Sequence, residues 1–239
     1  MTESATFLWR TYPYLWTTLL YLGVLLLGVW PLPRGQRRLV ALSGLMNLLA
    51  APFCLFLQGS YWFPKRVGGF PLGPEDFLIS FFVAALAWLL AAWPFRHRLH
   101  RAQGRESPWR RYALVSSPTV GFYLLLVWVG LDPMTALIIT LLVAGGALLF
   151  LRPCLWSLSL SGFLIFPPLY LLLVKLCYWV WPESVCQWNL QSFWGQLIGG
   201  LPLGEIVWAL AYGPSWPVYV GYVFQVSLLG CPHMVLQGD

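Results

Sequence analysis

Gly199-Gly200-Leu201-Pro202-Leu203-Gly204-Glu205-Ile206-Val207-Trp208 has a partner earlier in the same chain, Gly68-Gly69-Phe70-Pro71-Leu72-Gly73-Pro74-Glu75-Asp76-Phe77. The shared core reads Gly-Gly-apolar-Pro-Leu-Gly, offset by 131 residues, and an acid follows it in both copies, directly in one and after Pro74 in the other. Each copy opens a long apolar segment and follows a Ser-aromatic-Trp triplet, Ser60-Tyr61-Trp62 or Ser192-Phe193-Trp194. A repeated loop, acid and apolar segment point to an internal duplication. The chain holds 8 acidic residues, and Glu75, Asp76 and Glu205 fall inside the repeated motif, which makes them the candidate catalytic residues.

Working outward, the 239 residues are 59% hydrophobic, 17% aromatic and only 9% charged, against about a quarter charged in a soluble domain. The apolar residues come in blocks of about 20, long enough to cross a ~30 Å hydrocarbon core. The fold class is therefore all-α, a polytopic membrane helix bundle. The abundant Trp and Tyr fit interfacial belts. A net charge of +6 could suit nucleic acid, but the cations sit in loops where they would orient membrane spans, so no nucleic-acid partner is expected. Arg10 precedes an apolar run too long for a signal peptide, and no small-residue cleavage site follows. The cysteines (Cys54, Cys154, Cys177, Cys186, Cys231) form no metal-ligand spacing. Cys177 and Cys186 are near enough in sequence to pair, against the plainer reading of unpaired thiols.

Seven spans are expected, at about 14–31, 39–57, 75–93, 113–130, 134–151, 155–181 and 205–229. Pro167-Pro168 should kink the sixth, and Asp132-Pro133 should make a tight turn. Residues 1–239 form one membrane domain, with a first three-helix repeat over 1–94, a basic loop and linker span over 95–133, and a second, parallel repeat over 134–239. Loops after spans one, three and five carry 10 Lys and Arg; the N-terminal tail and the other loops carry 3. The positive-inside rule then puts the N-terminus outside and the C-terminus on the cytoplasmic side of a cytoplasmic membrane, with both glycine loops outside. Spans three and seven should meet at the centre, with small residues such as Gly69 and Gly200 permitting close approach.

Pro74 suits the first position of a helix, so Glu75 and Asp76 lie in the first turn of span three and Glu205 in that of span seven. The bland account is that acids complement a helix N-terminus by about 0.3–1 kcal/mol. The functional account is that ionisable groups at membrane depth are rare and often mark a site. Helical spacing puts Trp208 and Tyr212 on the face of Glu205, and Leu78, Ile79 and Phe82 on that of Glu75. A buried carboxylic acid can act as a proton donor, and aromatic faces stabilise a cation by roughly 0.5–2 kcal/mol each. The expected substrate contacts are Trp62, Phe82, Trp194, Trp208, Tyr212 and Asn47, although interfacial anchoring accounts for any one Trp and interhelical hydrogen bonding for Asn47. Lys175 and Glu183 lie near the outer end of span six, where Lys175 can snorkel. His97 and His100 have a spacing that could bind metal, but they sit in an arginine-rich loop and read as solvated. No dinucleotide, phosphate-binding or hydrolase motif is present.

At Pro71 to Asp76 and Pro202 to Glu205, with the tail Trp208-Ala209-Leu210-Ala211-Tyr212-Gly213, the chain resembles the integral-membrane lycopene cyclase domain family. Those proteins have two three-span repeats, a Pro-x-Glu-Glu/Asp motif opening the third span of each, and seven spans when fused. The resemblance implies an intramolecular lyase or isomerase that cyclises an acyclic carotenoid end group. A carboxylic acid protonates an alkene, the cation closes to a ring, and a base removes a proton, without redox change or cofactor. This chain departs from the pattern at Gly73-Pro74 and Gly204, which are inserted before the acids, and at Ile206, where the family has a second acid. The partners implied are a hydrophobic isoprenoid or lipid and the membrane itself. Two other classes stay open, a non-catalytic isoprenoid- or lipid-binding membrane protein and a transporter using acids at a repeat interface.

Overall fold

Four of the helices begin on a proline, whose missing N–H forfeits nothing in the first turn and whose fixed φ suits the helix. A computed structural model describes residues 11–101 and 107–228; Arg10, Arg105 and Cys231 lie outside them. The helices are α1 (Pro13–Val29), α2 (Arg34–Asn47), α3 (Cys54–Leu57), α4 (Pro74–Ala92), α5 (Pro108–Trp128), α6 (Pro133–Leu151), α7 (Trp156–Val180) and α8 (Leu203–Val223). A 3₁₀ stretch, Leu48–Phe53, carries α2 into α3 around Pro52. The Asp132 side chain accepts from the backbone N–H of Met134 and Thr135, both at 3.0 Å, so this Asp-Pro pair caps α6 as well as turning the chain. α7 runs unbroken through Pro167 and Pro168.

Four stretches are long and apolar enough to cross a membrane: Arg34–Leu57, Pro74–Phe95, Pro133–Leu151 and Pro153–Val180. Pro13–Val29 is apolar but shorter. α5 and α8 have 21 residues each, about 31 Å of helix; polar and proline residues such as Arg110, Arg111, Glu205 and Pro217 dilute their apolarity. The outer surface carries large apolar side chains on every side, and Trp30, Trp128, Trp156 and Trp179 stand well exposed near helix ends. So much exposed apolar surface would be a liability in water and fits lipid, with tryptophans at the interfaces. The protein is an all-α membrane bundle.

The core gathers around α4 and α8, which pack on each other. α4 packs on α1, α2 and α7, and α8 packs most extensively on α7 and α6. Where α7 crosses α8 the backbones nearly touch: a Cβ on Gly162 would lie 2.1 Å from the Gly213 carbonyl oxygen. Close approach thus occurs at Gly162 and Gly213, not at Gly69 and Gly200, which have open space around a Cβ. Those two serve the turn instead. Gly68 and Gly69 have φ of 80° and 69°, and Gly199 and Gly200 have 61° and 80°, so both motif copies use the left-handed region that glycine alone enters freely. In the second copy the pair turns a hairpin between β2 (Leu197–Ile198) and β3 (Leu201–Pro202).

The two ends of the bundle differ. At one end the segments leading into the two motif loops interlock: Phe63 N–H donates to the Gln187 carbonyl at 2.6 Å and Asn189 N–H to the Tyr61 carbonyl at 2.9 Å. At the other end β1 (Leu99–Arg101) pairs antiparallel with β4 (Val226–Leu228). Arginines gather there. Gln36 reaches the Arg96 carbonyl, Arg111 Nε donates to the Val223 carbonyl at 2.8 Å, and Arg101 and Arg152 lie over Phe224 and Tyr222. His97 and His100 belong to this basic end, His100 on β1. Cys177 and Cys186 are both free thiols.

Candidate active site

Glu205 sits in the first turn of α8 and is almost wholly buried, 6% exposed. Its Oε1 accepts from the Tyr61 phenol at 3.0 Å, and its Oε2 accepts from the Tyr170 phenol. Among the described residues no cation pairs with it, the one ion pair being elsewhere. Tyr61 can reach the carboxyl because Gly204 has no side chain: a Cβ there would meet the Tyr61 ring and hydroxyl at 2.6–2.7 Å.

Glu205 lines a cavity of about 490 Å³, within the range of ligand pockets. From the acid, one face of α8 presents Trp208, Tyr212, Ser215, Trp216 and Tyr219 to the same cavity. This is the face that helical spacing from Glu205 generates. The rings stack in succession: Trp208 on Tyr212 at 4.7 Å, Tyr212 on Trp216 at 5.5 Å, and Trp216 on Tyr219 at 5.4 Å between centroids. Eleven residues at 1.5 Å rise make the ladder about 16 Å long, and the acid lies three residues before its first ring. Two hydrogen bonds pin its far half: Trp216 Nε1–H donates to Ser43 Oγ at 2.8 Å, and the Tyr219 and Ser116 hydroxyls meet at 2.5 Å. Phe166 and Tyr170 of α7 flank the head, with Tyr170 at 5.2 Å from Trp208. The arrangement is one acid at the head of a nearly continuous π surface in an apolar chamber.

The other two acids are fully buried but do not line this cavity. Asp76 forms a bidentate ion pair with Arg66, at 2.5 Å from Nε and 3.0 Å from Nη2. It also accepts from the Gly73 N–H at 2.7 Å and the Tyr14 phenol at 3.2 Å. Glu75 accepts from the Val67 N–H at 2.8 Å, and its Oε2 has no partner among the described residues. The expected single chamber shared by all three acids is therefore not formed. The two helices start at different places in the motif, α8 at Leu203 and α4 two motif positions later at Pro74. Pro74 opens α4, so Glu75 is its second residue and Asp76 its third, while Glu205 is the third residue of α8. Counted from the helix start, Asp76 rather than Glu75 holds the place of Glu205, and one residue turns a side chain by about 100° around a helix. Arg66 has Leu197 as its counterpart 131 residues on, so the second copy keeps the acid and lacks the cation.

Of the expected contacts, Trp62, Trp208, Tyr212 and Asn47 line the cavity. Trp62 stacks on Trp188 and meets Tyr14 edge-on, with Arg66 over its ring at 5.6 Å. Asn47 also donates to the Ser80 carbonyl at 2.9 Å, so it braces α2 against α4 at the cavity wall. Phe82 and Trp194 fall elsewhere. Phe82 packs in the core against Phe81, and Trp194 Nε1–H donates to Thr135 Oγ1 at 2.9 Å. Lys175 Nζ reaches the Gly199 carbonyl at 3.2 Å. Tyr14, Tyr21 and Tyr170 also line the cavity, Tyr61 reaches it through Glu205 and Arg66 holds Asp76; none of the five was among the expected site residues. Tyr61 carried a usable signal, as the middle of the first Ser-aromatic-Trp triplet. Tyr14, Tyr21 and Tyr170 looked like any aromatic in an apolar span. No protein-family model, curated protein or solved structure matches this chain.

Proposed function

We propose that the protein is a membrane-embedded isoprenoid cyclase of the lycopene-cyclase type, with Glu205 as the proton donor. The observation that carries this reading is the buried, cation-free carboxyl at the head of the stacked ladder Trp208-Tyr212-Trp216-Tyr219. A carboxylic acid among phenols is placed to give a proton to an alkene, and the π faces offer a cation roughly 0.5–2 kcal/mol each. Glu205 transfers its proton to a terminal double bond. The resulting cation takes the electron pair of an internal double bond, forming the ring C–C bond. The new ring cation then loses a neighbouring proton, leaving a ring double bond and no net change in oxidation state. Asp76, held against Arg66, suits the accepting role through Tyr14, which lines the cavity and donates to Asp76. Tyr14 would take the substrate proton as it passes its own to Asp76. Between turnovers Asp76 sheds a proton and Glu205 regains one.

In this reading all seven long helices cross a cytoplasmic membrane, and α1–α2–α4 and α6–α7–α8 are the two repeats. The gathering of arginines at the end opposite the motif loops supports placing that end in the cytoplasm. The test is expression in a lycopene-accumulating host with pigment analysis. Cyclised product from wild type and none from Glu205→Gln is expected. A carrier that binds an isoprenoid without converting it is the second reading, favoured by the engagement of both Glu205 oxygens with phenols. It predicts bound, unchanged pigment in both proteins.

A further inference from the structure

Of the described residues that line the cavity, Leu49 alone is well exposed, at 65%; the others are buried or half-buried. A side chain that meets both the cavity and the outer surface marks a mouth. Leu49 lies inside the apolar stretch Arg34–Leu57, and Leu45, Leu55 and Phe56 of that stretch are exposed too. The mouth therefore opens on the kind of apolar surface that lipid covers. It also has a frame. α5 joins this stretch on either side of Leu49: Tyr112 donates to the Met46 carbonyl at 2.9 Å, and Tyr123 meets Phe53 edge-on at 4.9 Å. Between these two joins, Leu49 and Ala50 on one side and Ser116, Thr119 and Val120 on the other line the cavity. α5 buries only Arg111 and Tyr123, near its two ends. Pro52 has no N–H to give, and Leu48–Phe53 runs as 3₁₀ with the small Ala50 beside Leu49. The hydroxyls of Ser116 and Thr119 are spent on the Tyr112 and Val115 carbonyls, at 2.6 and 2.7 Å, so they put no unmet donor before hydrocarbon.

We infer that this window is the opening of the cavity to the bilayer: the ligand enters sideways between the Leu48–Phe53 stretch and α5, and an isoprenoid longer than the cavity leaves its tail there while its other end lies at Glu205. The wall of α8 from Glu205 to Tyr219 covers about 21 Å, which bounds what the chamber encloses. Ligand beyond that length has hydrocarbon to lie in at Leu49. The inference rests on the cavity reading above and adds the route by which that site is filled; it holds for a cyclase and for a carrier alike.

The test places a nitroxide spin label on Leu49→Cys and, for comparison, on Leu142→Cys, in the full chain freed of native cysteines and held in lipid vesicles. Leu142 is 52% exposed within the apolar helix α6 and does not line the cavity. Both labels should collide more with oxygen, which concentrates in hydrocarbon, than with a water-soluble nickel chelate. Lycopene added to the vesicles should lower the oxygen accessibility of the label at 49 roughly two-fold, by covering one side of it, and leave that at 142 unchanged. A label at 49 that meets the nickel chelate more than oxygen, or that responds to lycopene no more than the label at 142, overturns the inference while leaving the cavity reading standing. Lycopene that fails to co-elute with the chain on gel filtration in detergent overturns the cavity reading along with it.

Discussion

Replacing Asp76 with asparagine would leave the Arg66 guanidinium buried without its anion. The Arg66 side chain is 2% exposed and that of Asp76 0%, so solvent cannot take over the lost charge. Removing one member of a buried ion pair costs about 3–5 kcal/mol, because the remaining charge stays desolvated. The substituted amide would keep an oxygen for the Gly73 N–H, so the helix cap adds little to that figure. Arg66→Leu, which installs the residue type found at the corresponding position 197, should cost a similar amount by stranding Asp76. The double variant Arg66→Leu/Asp76→Asn has no charge left to strand and should lie within about 2 kcal/mol of wild type. The two single costs then fail to add, with a coupling of several kcal/mol. Thermal unfolding in detergent reads this out. At about 2–4 °C per kcal/mol for a chain of this size, each single variant should melt about 6–20 °C lower and the double should recover most of the loss. Single variants within about 3 °C of wild type, or a double equal to their sum, would refute the claim that the pair holds the α4 motif loop.

Glu205→Gln should lower turnover by about 10²–10⁴-fold, the usual contribution of general acid–base catalysis, while ligand binding and melting stay near wild type; full activity would remove Glu205 from the chemistry. Gly204→Ala should displace Tyr61, whose ring lies 2.7 Å from the new Cβ. It should cost about 1–3 kcal/mol and impair turnover though Glu205 is intact, measured by unfolding and product analysis together. Gly162→Ala should destabilise more, since its Cβ would meet rigid backbone at 2.1 Å; an unchanged melting temperature would contradict the α7–α8 crossing. In a chain freed of native cysteines, a cysteine placed at 69 and another at 200 should label from the same side of the membrane, and labelling from opposite sides would break the interlocked-loop arrangement.

The sequence by itself determined the class of the protein and the axis of its candidate site. Apolar blocks of membrane length leave helices as the way to satisfy every backbone group in lipid, and each of the seven expected segments carries helix over most of its described length, although the seventh leaves the helix at Val223 and its chain goes on into β4. The spacing of Glu205, Trp208 and Tyr212 is a property of one helix, so their common face needed nothing beyond the 3.6-residue period. The twin Gly-Gly pairs likewise carried their turn in their own residue type. Tertiary structure alone decided what each acid meets. Glu75, Asp76 and Glu205 look alike in a repeated motif, but Asp76 meets Arg66 from the preceding loop, and Glu205 meets Tyr61 and Tyr170 from distant parts of the chain. Phe82 had the right helical face for a contact and became core, because the neighbours of α4 cover it. An ionisable group's role follows from burial, nearby charge and hydrogen bonds, and those are set by residues that only packing brings together.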